Sequence, residues 1–227
     1  VVKNNRASKG KGRTNGVATS NSKGKPNVLI ILWDTVRADR LSVYGNPRPT
    51  TPFIERLANT SAVFERALSP AMWTVPAHAS LFTGLAVSEH GATAKHRQLD
   101  RRFDTMAEYL GAKGYQTYAF SANPNLNPRS MGLVQGFDTV DLSWAKKFAP
   151  HSKEITQLKL IATDRSCEIS PARKGSEGRD EVFFNAAPVA RKAFRRWLKD
   201  RDVESPFFAY INMMEAHKPR VPGIKSR

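Results

Sequence analysis

Residues 28–33 are six consecutive large apolar side chains, Val-Leu-Ile-Ile-Leu-Trp, introduced by Asn27 and cut off by the carboxylate of Asp34. An unbroken run of that length, without apolar and polar residues alternating, is the signature of a strand buried on both faces of a parallel sheet. Parallel strands cannot be joined by tight turns and need crossover connections, so the run commits the chain to an α/β architecture. Functional groups of open α/β sheets gather beyond the carboxyl ends of the strands, where a metal-binding or catalytic carboxylate would sit; Asp34 occupies such a place.

The rest of the chain supplies the expected crossovers. Thr51-Pro52 reads as N-cap and first helical residue of a helix through about Ala62, with Phe53, Leu57 and Ala58 as its inner face. Val63 to Leu68 reads as a short strand. A second helix is expected from about Asp104 to Lys113, stopped by Gly114, with a strand over Tyr115 to Ser121. Residues 123–144 are rich in Pro, Asn and Gly and read as a long surface excursion, followed by a polar, loop-rich insertion from Lys146 to Asp180. From Val189, the apolar Val189, Ala193, Phe194, Trp197 and Leu198 fall opposite Arg191, Lys192, Arg195, Arg196 and Lys199, which makes an amphipathic helix with a solvated basic stripe. Phe207 to Met213 is a further buried strand, with Glu215 and His217 just past its end.

Between these elements lies the segment Thr74-Val-Pro-Ala-His78-Ala-Ser-Leu-Phe-Thr-Gly84. Thr is a preferred N-cap, Pro76 suits a first turn and Gly84 suits the position after the last turn, so Thr74 is expected to cap a short helix. Its hydroxyl would then face unpaired N–H groups at the positive end of the helix dipole, a setting that favours a phosphate or sulfate ester. His78 is one turn further on the same face, within reach of such an anion. Taken alone, the segment fits a structural cap and an ordinary histidine better than a site.

Charge qualifies the partners. The formal net charge is +16; the first 26 residues hold seven basic side chains and no acidic one, in a Gly-, Ser- and Asn-rich context that reads as a disordered basic tail (1–26) preceding one α/β domain (27–227). The remaining 29 basic residues still outnumber the 20 acidic ones, which fits an anionic substrate or a polyanion and points to no specific nucleic acid. No apolar run is long enough for a transmembrane helix. The single Cys167 has no internal partner for a disulfide.

The pieces Pro26-Asn-Val-Leu-Ile-Ile-Leu-Trp-Asp34, Arg37-Ala-Asp-Arg-Leu41, Tyr44-Gly45, Thr51-Pro-Phe-Ile-Glu-Arg-Leu-Ala58, Thr74 through Gly84, His90-Gly91, Gly114-Tyr-Gln-Thr117, Gly136-Phe-Asp138 and Pro206-Phe-Phe through Glu215-Ala-His217 resemble, in order, the N-terminal part of the sulfatase family within the alkaline phosphatase superfamily. The resemblance implies a mainly parallel sheet sandwiched by helices and a metal-dependent hydrolase of sulfate esters, with sulfated polysaccharide among the possible substrates. Asp34 matches the first metal ligand, Thr74 the nucleophile and a further metal ligand, His78 the position of an arginine, Asn123 the neighbourhood of a lysine and His217 a histidine that contacts the ester. The implied cation is calcium first, with magnesium, manganese and zinc as other candidates. A secreted or periplasmic setting is favoured by the resemblance alone, and oligomeric state is left open.

Two positions depart from the family pattern. Thr74 stands where typical sulfatases carry a Cys or Ser that becomes formylglycine; threonine cannot be converted, so no formylglycine is expected. Thr35 stands where many members have a second acidic ligand. A sulfated threonine cannot collapse to an aldehyde and must be hydrolysed by water, which makes phosphoester or phosphonate hydrolysis, or phosphoglycerol-type transfer, a rival on the same site. An inactive polyanion-binding protein is the third reading. The resemblance also implies later metal ligands for which nothing after His217 provides, so either the sequence is the N-terminal portion of such a domain or its metal binding is crippled.

Overall fold

A computed structural model describes residues 24–129, 131–148 and 186–217. Its centre is a four-stranded sheet in the order β1-β4-β2-β3, every pairing parallel, built from β1 (Val28–Trp33), β2 (Gln116–Ser121), β3 (Thr139–Leu142) and β4 (Phe207–Met213). The helices are α1 (Pro52–Ala58), α2 (Thr74–Thr83), α3 (Val87–His90), α4 (Met106–Ala112) and α5 (Ala187–Asp200). The α/β class with a parallel sheet is therefore the observed one. Cys167, the basic tail up to residue 23 and most of the 146–180 segment lie outside the described residues.

Alternation along the central strands sorts their side chains to two faces. Phe208 and Tyr210 of β4 and Ala119 of β2 pack with Val75, Ala79 and Phe82 of α2, with Phe137 closing the cluster. Phe207, Ala209 and Ile211 of β4 and Tyr118 and Phe120 of β2 pack with Val189, Ala190 and Ala193 of α5. Each such large side chain removed from water is worth roughly 1.5–3 kcal/mol, so both faces of β4 and β2 are energetically committed. The amphipathic reading of α5 holds: its basic residues Arg191, Lys192, Arg195, Arg196 and Lys199 are exposed.

β1 departs from the expectation of burial on both sides. It forms one margin of the described sheet, and only Val28, Ile30 and Leu32 turn inward. Leu29, Ile31 and Trp33 remain 45%, 50% and 39% exposed. The apolar run is thus explained on one face by the core under α2, while nothing described covers the other.

Three further expectations need correction. α1 is shorter than expected and buries none of its residues; Phe53 and Leu57 are exposed, because the helix packs mainly on the 3₁₀ turn at Ser42–Tyr44. No strand forms at 63–68, where Phe64 and Leu68 are exposed. Residues 123–144 are not a surface excursion: Leu126, Leu133, Val134 and Phe137 enter the core, and β3 follows them. The turn residues there bend the chain back into the fold instead of away from it.

Candidate active site

Asp34 is the first residue beyond β1, and its N–H donates to the carbonyl of Met213 at 2.9 Å, extending the β1–β4 ladder by one step. That bond fixes the half-buried carboxylate at the carboxyl edge of the sheet. Thr35, immediately after it, has φ 59°, a left-handed conformation that a β-branched residue adopts only under constraint. Strain of this kind, of order 1–3 kcal/mol, persists where the surroundings over-determine the backbone. Here it turns the chain sharply away from the strand and leaves Asp34 at the corner.

Thr74 opens α2, one position inside the helix; Trp73 is the N-cap residue, and no side chain caps the first turn. The expected capping role of Thr74 is therefore absent, and its hydroxyl is used elsewhere. Asn123 supplies the partner. Its Nδ2 donates both to Asp34 Oδ2 at 2.9 Å and to Thr74 Oγ1 at 3.1 Å. The orientation of this amide is fixed by its other end, since Oδ1 accepts the Asn125 N–H at 3.0 Å. Ser121 Oγ, which accepts from the Asn123 N–H and donates to the Asn123 carbonyl, holds the backbone against the end of β2. Asn123 is 2% exposed, so it is a built-in bridge and more than an incidental turn residue. Gly84, at φ 71°, ends α2 as its sequence position suggested.

Because one nitrogen bonds both oxygens, Asp34 Oδ2 and Thr74 Oγ1 lie no more than 6.0 Å apart. A calcium ion touching both would hold them at most ~5 Å apart, a span inside that bound, so the two oxygens are near enough for one cation to reach both. They are too few by themselves, since calcium takes ~6–8 oxygens. Among the described residues no group of three or more His, Cys, Asp or Glu side chains forms a metal cluster.

His78 does not face an open anion site. It is 4% exposed; Nδ1 lies 2.8 Å from the Thr74 carbonyl and Nε2 lies 2.8 Å from the Tyr210 hydroxyl. A carbonyl can only accept, so Nδ1 carries the proton. Burial disfavours the imidazolium and lowers its pKa, outweighing the opposing effects of the Thr74 carbonyl and the Asp34 charge. Nε2 is then bare and accepts from the Tyr210 O–H. Both ring nitrogens are engaged, so in this arrangement His78 has none left for an ester oxygen, and it buttresses the first turn of α2 beside Thr74.

His217 lies in the turn beyond β4, half-buried, with its N–H donating to the Met214 carbonyl at 3.0 Å. It is thus at the same sheet edge as Asp34 and Asn123. Glu215 is mostly buried: Oε1 accepts the Ala187 N–H at the start of α5 at 2.6 Å, and burial raises its pKa. His90 is also buried; Nδ1 accepts the Ala92 N–H, so Nε2 donates to Ser80 Oγ at 2.9 Å and locks the following turn to α2. Arg97 stacks over the Trp73 ring, 5.3 Å from its centroid, and brings a cation to the residue preceding Thr74.

Sequence reasoning did not single out Tyr210 or Asn212. Both lie on the α2 face of β4, and the signal was present: an amide and a phenol two residues apart inside an otherwise apolar strand.

A sulfatase family model matches residues 26–223. The chain is 30% identical to an arylsulfatase of Clostridium perfringens, covering 87% of this chain and 44% of that protein. It is 32% identical to an N-acetylgalactosamine-6-O-sulfatase of Bacteroides thetaiotaomicron, over 87% of this chain and 49% of the relative. Among solved structures, the phosphonate monoester hydrolase of Agrobacterium radiobacter superposes with a TM-score of 0.61 at 25% identity, covering 88% of this chain and 43% of that one. The chain spans less than half the length of each of these relatives. Among the described residues no helix is long and apolar enough to cross a membrane.

Proposed function

We propose, from the premise that this chain belongs to the sulfatase family, that it carries the nucleophile half of a metal-dependent hydrolase of sulfate esters in which Thr74 attacks sulfur in line. The observation that carries the reading is the shared hydrogen-bonding nitrogen of Asn123, which keeps the Asp34 carboxylate and the Thr74 hydroxyl together at the carboxyl edge of the sheet. Asp34 and Thr74 would contribute two oxygens to a divalent cation, calcium being the first candidate. Such a cation would lower the pKa of the hydroxyl and offset the charge of the ester.

In the first step the Thr74 oxygen forms a bond to sulfur, the bond from sulfur to the ester oxygen breaks, and the hydroxyl proton is given up to solvent. His217 supplies a proton to the departing alcohol. Water then attacks the sulfated threonine, releasing sulfate and restoring the hydroxyl. No aldehyde is formed at any stage, because threonine has no route to formylglycine.

Substrate charge favours sulfate over a phosphate monoester. A sulfate monoester bears one negative charge and a phosphate monoester close to two at neutral pH. The positions that present arginine and lysine in the usual family signature carry here a neutral His78 and a neutral Asn123, so there is less positive charge for a second negative one. A second reading, hydrolysis of phosphonate or phosphate diesters, keeps the single charge and is supported by the likeness to the phosphonate monoester hydrolase. Sulfated polysaccharide is the natural substrate class that the first reading suggests.

Parallel assays of the full-length protein with an aryl sulfate, an aryl phosphate and an aryl phosphodiester, with calcium and with chelator, test the proposal. Calcium-dependent hydrolysis of the sulfate that falls by at least ~10³-fold in Thr74→Ala supports it. Preference for the phosphodiester transfers the site to the second reading. Absence of all three activities, with salt-sensitive binding to a heparin-like polymer unaffected by Thr74→Ala, would replace both with a polyanion-binding protein.

A further inference from the structure

Asn212 stands out among the buried polar side chains. It is fully buried, and among the described residues neither its Oδ1 nor its Nδ2 has a hydrogen-bond partner. Burying an unpaired amide is costly, and leucine or valine would be the unremarkable choice for a central strand. The residue sits in register with Leu32 of β1 and Ser121 of β2, two residues before the row that holds Asp34 and Asn123. It shares its face of β4 with Tyr210, and its amide lies beside the Tyr210 hydroxyl without completing a hydrogen bond to it.

The direction of the neighbouring bonds is already determined. The His78 Nδ1–H donates to the Thr74 carbonyl, so Nε2 accepts and the Tyr210 O–H donates. The phenol oxygen therefore keeps lone pairs and needs a donor. Asn212 Nδ2 is a donor without a partner, and the terminal amide torsion of asparagine is soft enough for a small rotation to bring it into line.

We propose that Asn212 is a positioning residue of this site: Asn212 Nδ2–H, Tyr210 O–H and the His78 Nδ1–H form a one-directional hydrogen-bond relay that ends on the Thr74 carbonyl. Each bond in the series polarises the next, so the donor at the far end strengthens the grip on the residue that bears the nucleophile. The relay runs from the middle of the sheet to the first turn of α2. It explains together why an amide is kept at a core position, why a phenol sits two residues before it, and why His78 takes no part in holding the ester. The Tyr210 and His78 links stand on their hydrogen bonds, and the Asn212 link on an unpartnered buried donor on the same strand face; only the kinetic consequence rests on the reading of Thr74 as nucleophile.

The test uses the full-length protein with Asn212→Leu, close in shape but without donor or acceptor, and Asn212→Ser, which restores a donor. The ¹⁵N and ¹H resonances of the His78 ring and the steady-state constants for aryl sulfate are read for each. The relay predicts that Asn212→Leu keeps the Nδ1–H tautomer but shifts the Nε2 resonance, and lowers kcat by roughly tenfold, one hydrogen bond's worth, with KM within about twofold. Asn212→Ser should recover part of both effects. Unchanged ring resonances in a folded Asn212→Leu would overturn the relay, as would a loss confined to KM. If wild-type protein hydrolyses no ester, the functional reading fails while the ring resonances still decide the relay; and if Asn212→Leu does not fold, Asn212→Ser is read against wild type and Tyr210→Phe, an Nε2 shift intermediate between those two upholding the relay and one identical to wild type refuting it.

Discussion

Replacing Tyr210 with phenylalanine removes one oxygen and nothing else from the α2-side core. The ring contacts survive: Phe82 at 4.9 Å between centroids, His78 at 6.0 Å and Phe137 at 6.5 Å are all compatible with a phenyl ring. What is lost is the 2.8 Å bond to His78 Nε2, leaving a buried acceptor unpaired. A bond of this kind contributes about 1 kcal/mol net, and an abandoned buried partner raises the cost to about 1–3 kcal/mol. At 2–4 °C per kcal/mol for a domain of this size, the melting temperature should fall by roughly 2–12 °C. His78→Phe removes the acceptor as well, so once it is in place Tyr210→Phe should cost much less. Urea denaturation of wild type, both single variants and the double variant should yield a coupling energy of about 1–2 kcal/mol. Additive single effects, or a Tyr210→Phe variant within ~0.3 kcal/mol of wild type, would refute the argument that the phenol and imidazole are a bonded pair.

Burial lowers the pKa of both His78 and His90. The unfolded chain therefore takes up protons first, so stability is fully present above about pH 6.5 and is lost as pH falls from there towards the depressed folded values; urea midpoints between pH 8 and pH 5 should follow that curve, with a shallower slope in His78→Phe. Thr35→Asn substitutes a residue that tolerates the left-handed conformation, and should raise stability by up to about 1 kcal/mol in thermal melts while leaving the cation affinity intact. Arg97→Ala removes the cation stacked on Trp73; for an exposed group worth about 0.5–1 kcal/mol, KM for an anionic ester should rise roughly two- to fivefold with kcat unchanged.

The long-range order was legible in the sequence where one residue pattern had a single outcome. Phe207–Met213 can only be a core strand, and its bounds coincide with β4; the one-sided face of α5 likewise follows from Val189, Ala193 and Trp197. β3 escaped notice because Thr139–Leu142 has only four residues and includes Asp141, whose carboxylate is matched by Lys147 and the Tyr118 hydroxyl, partners that no local pattern reveals. The site was half legible. Asp34 and Thr74 stand out by their places at a strand end and a helix start. The bridge through Asn123 and the pairing of His78 with Tyr210 join residues 89 and 132 positions apart, and those distances are set by the fold. The surroundings of His78 were hidden for that reason: spacing places it one helical turn from Thr74, but only the fold brings a phenol from β4 to its ring.

The flank of β1 that no described residue covers has a practical corollary. Leu29, Ile31 and Trp33 form an apolar ridge along a strand margin, and such a margin is adhesive towards any other extended chain. Polypeptide in which that ridge stays uncovered will clump as it is concentrated. A specific activity that declines with rising protein concentration would then report self-association along this flank, and should recover on dilution or with mild detergent while the chemistry at the other end of the strand is untouched.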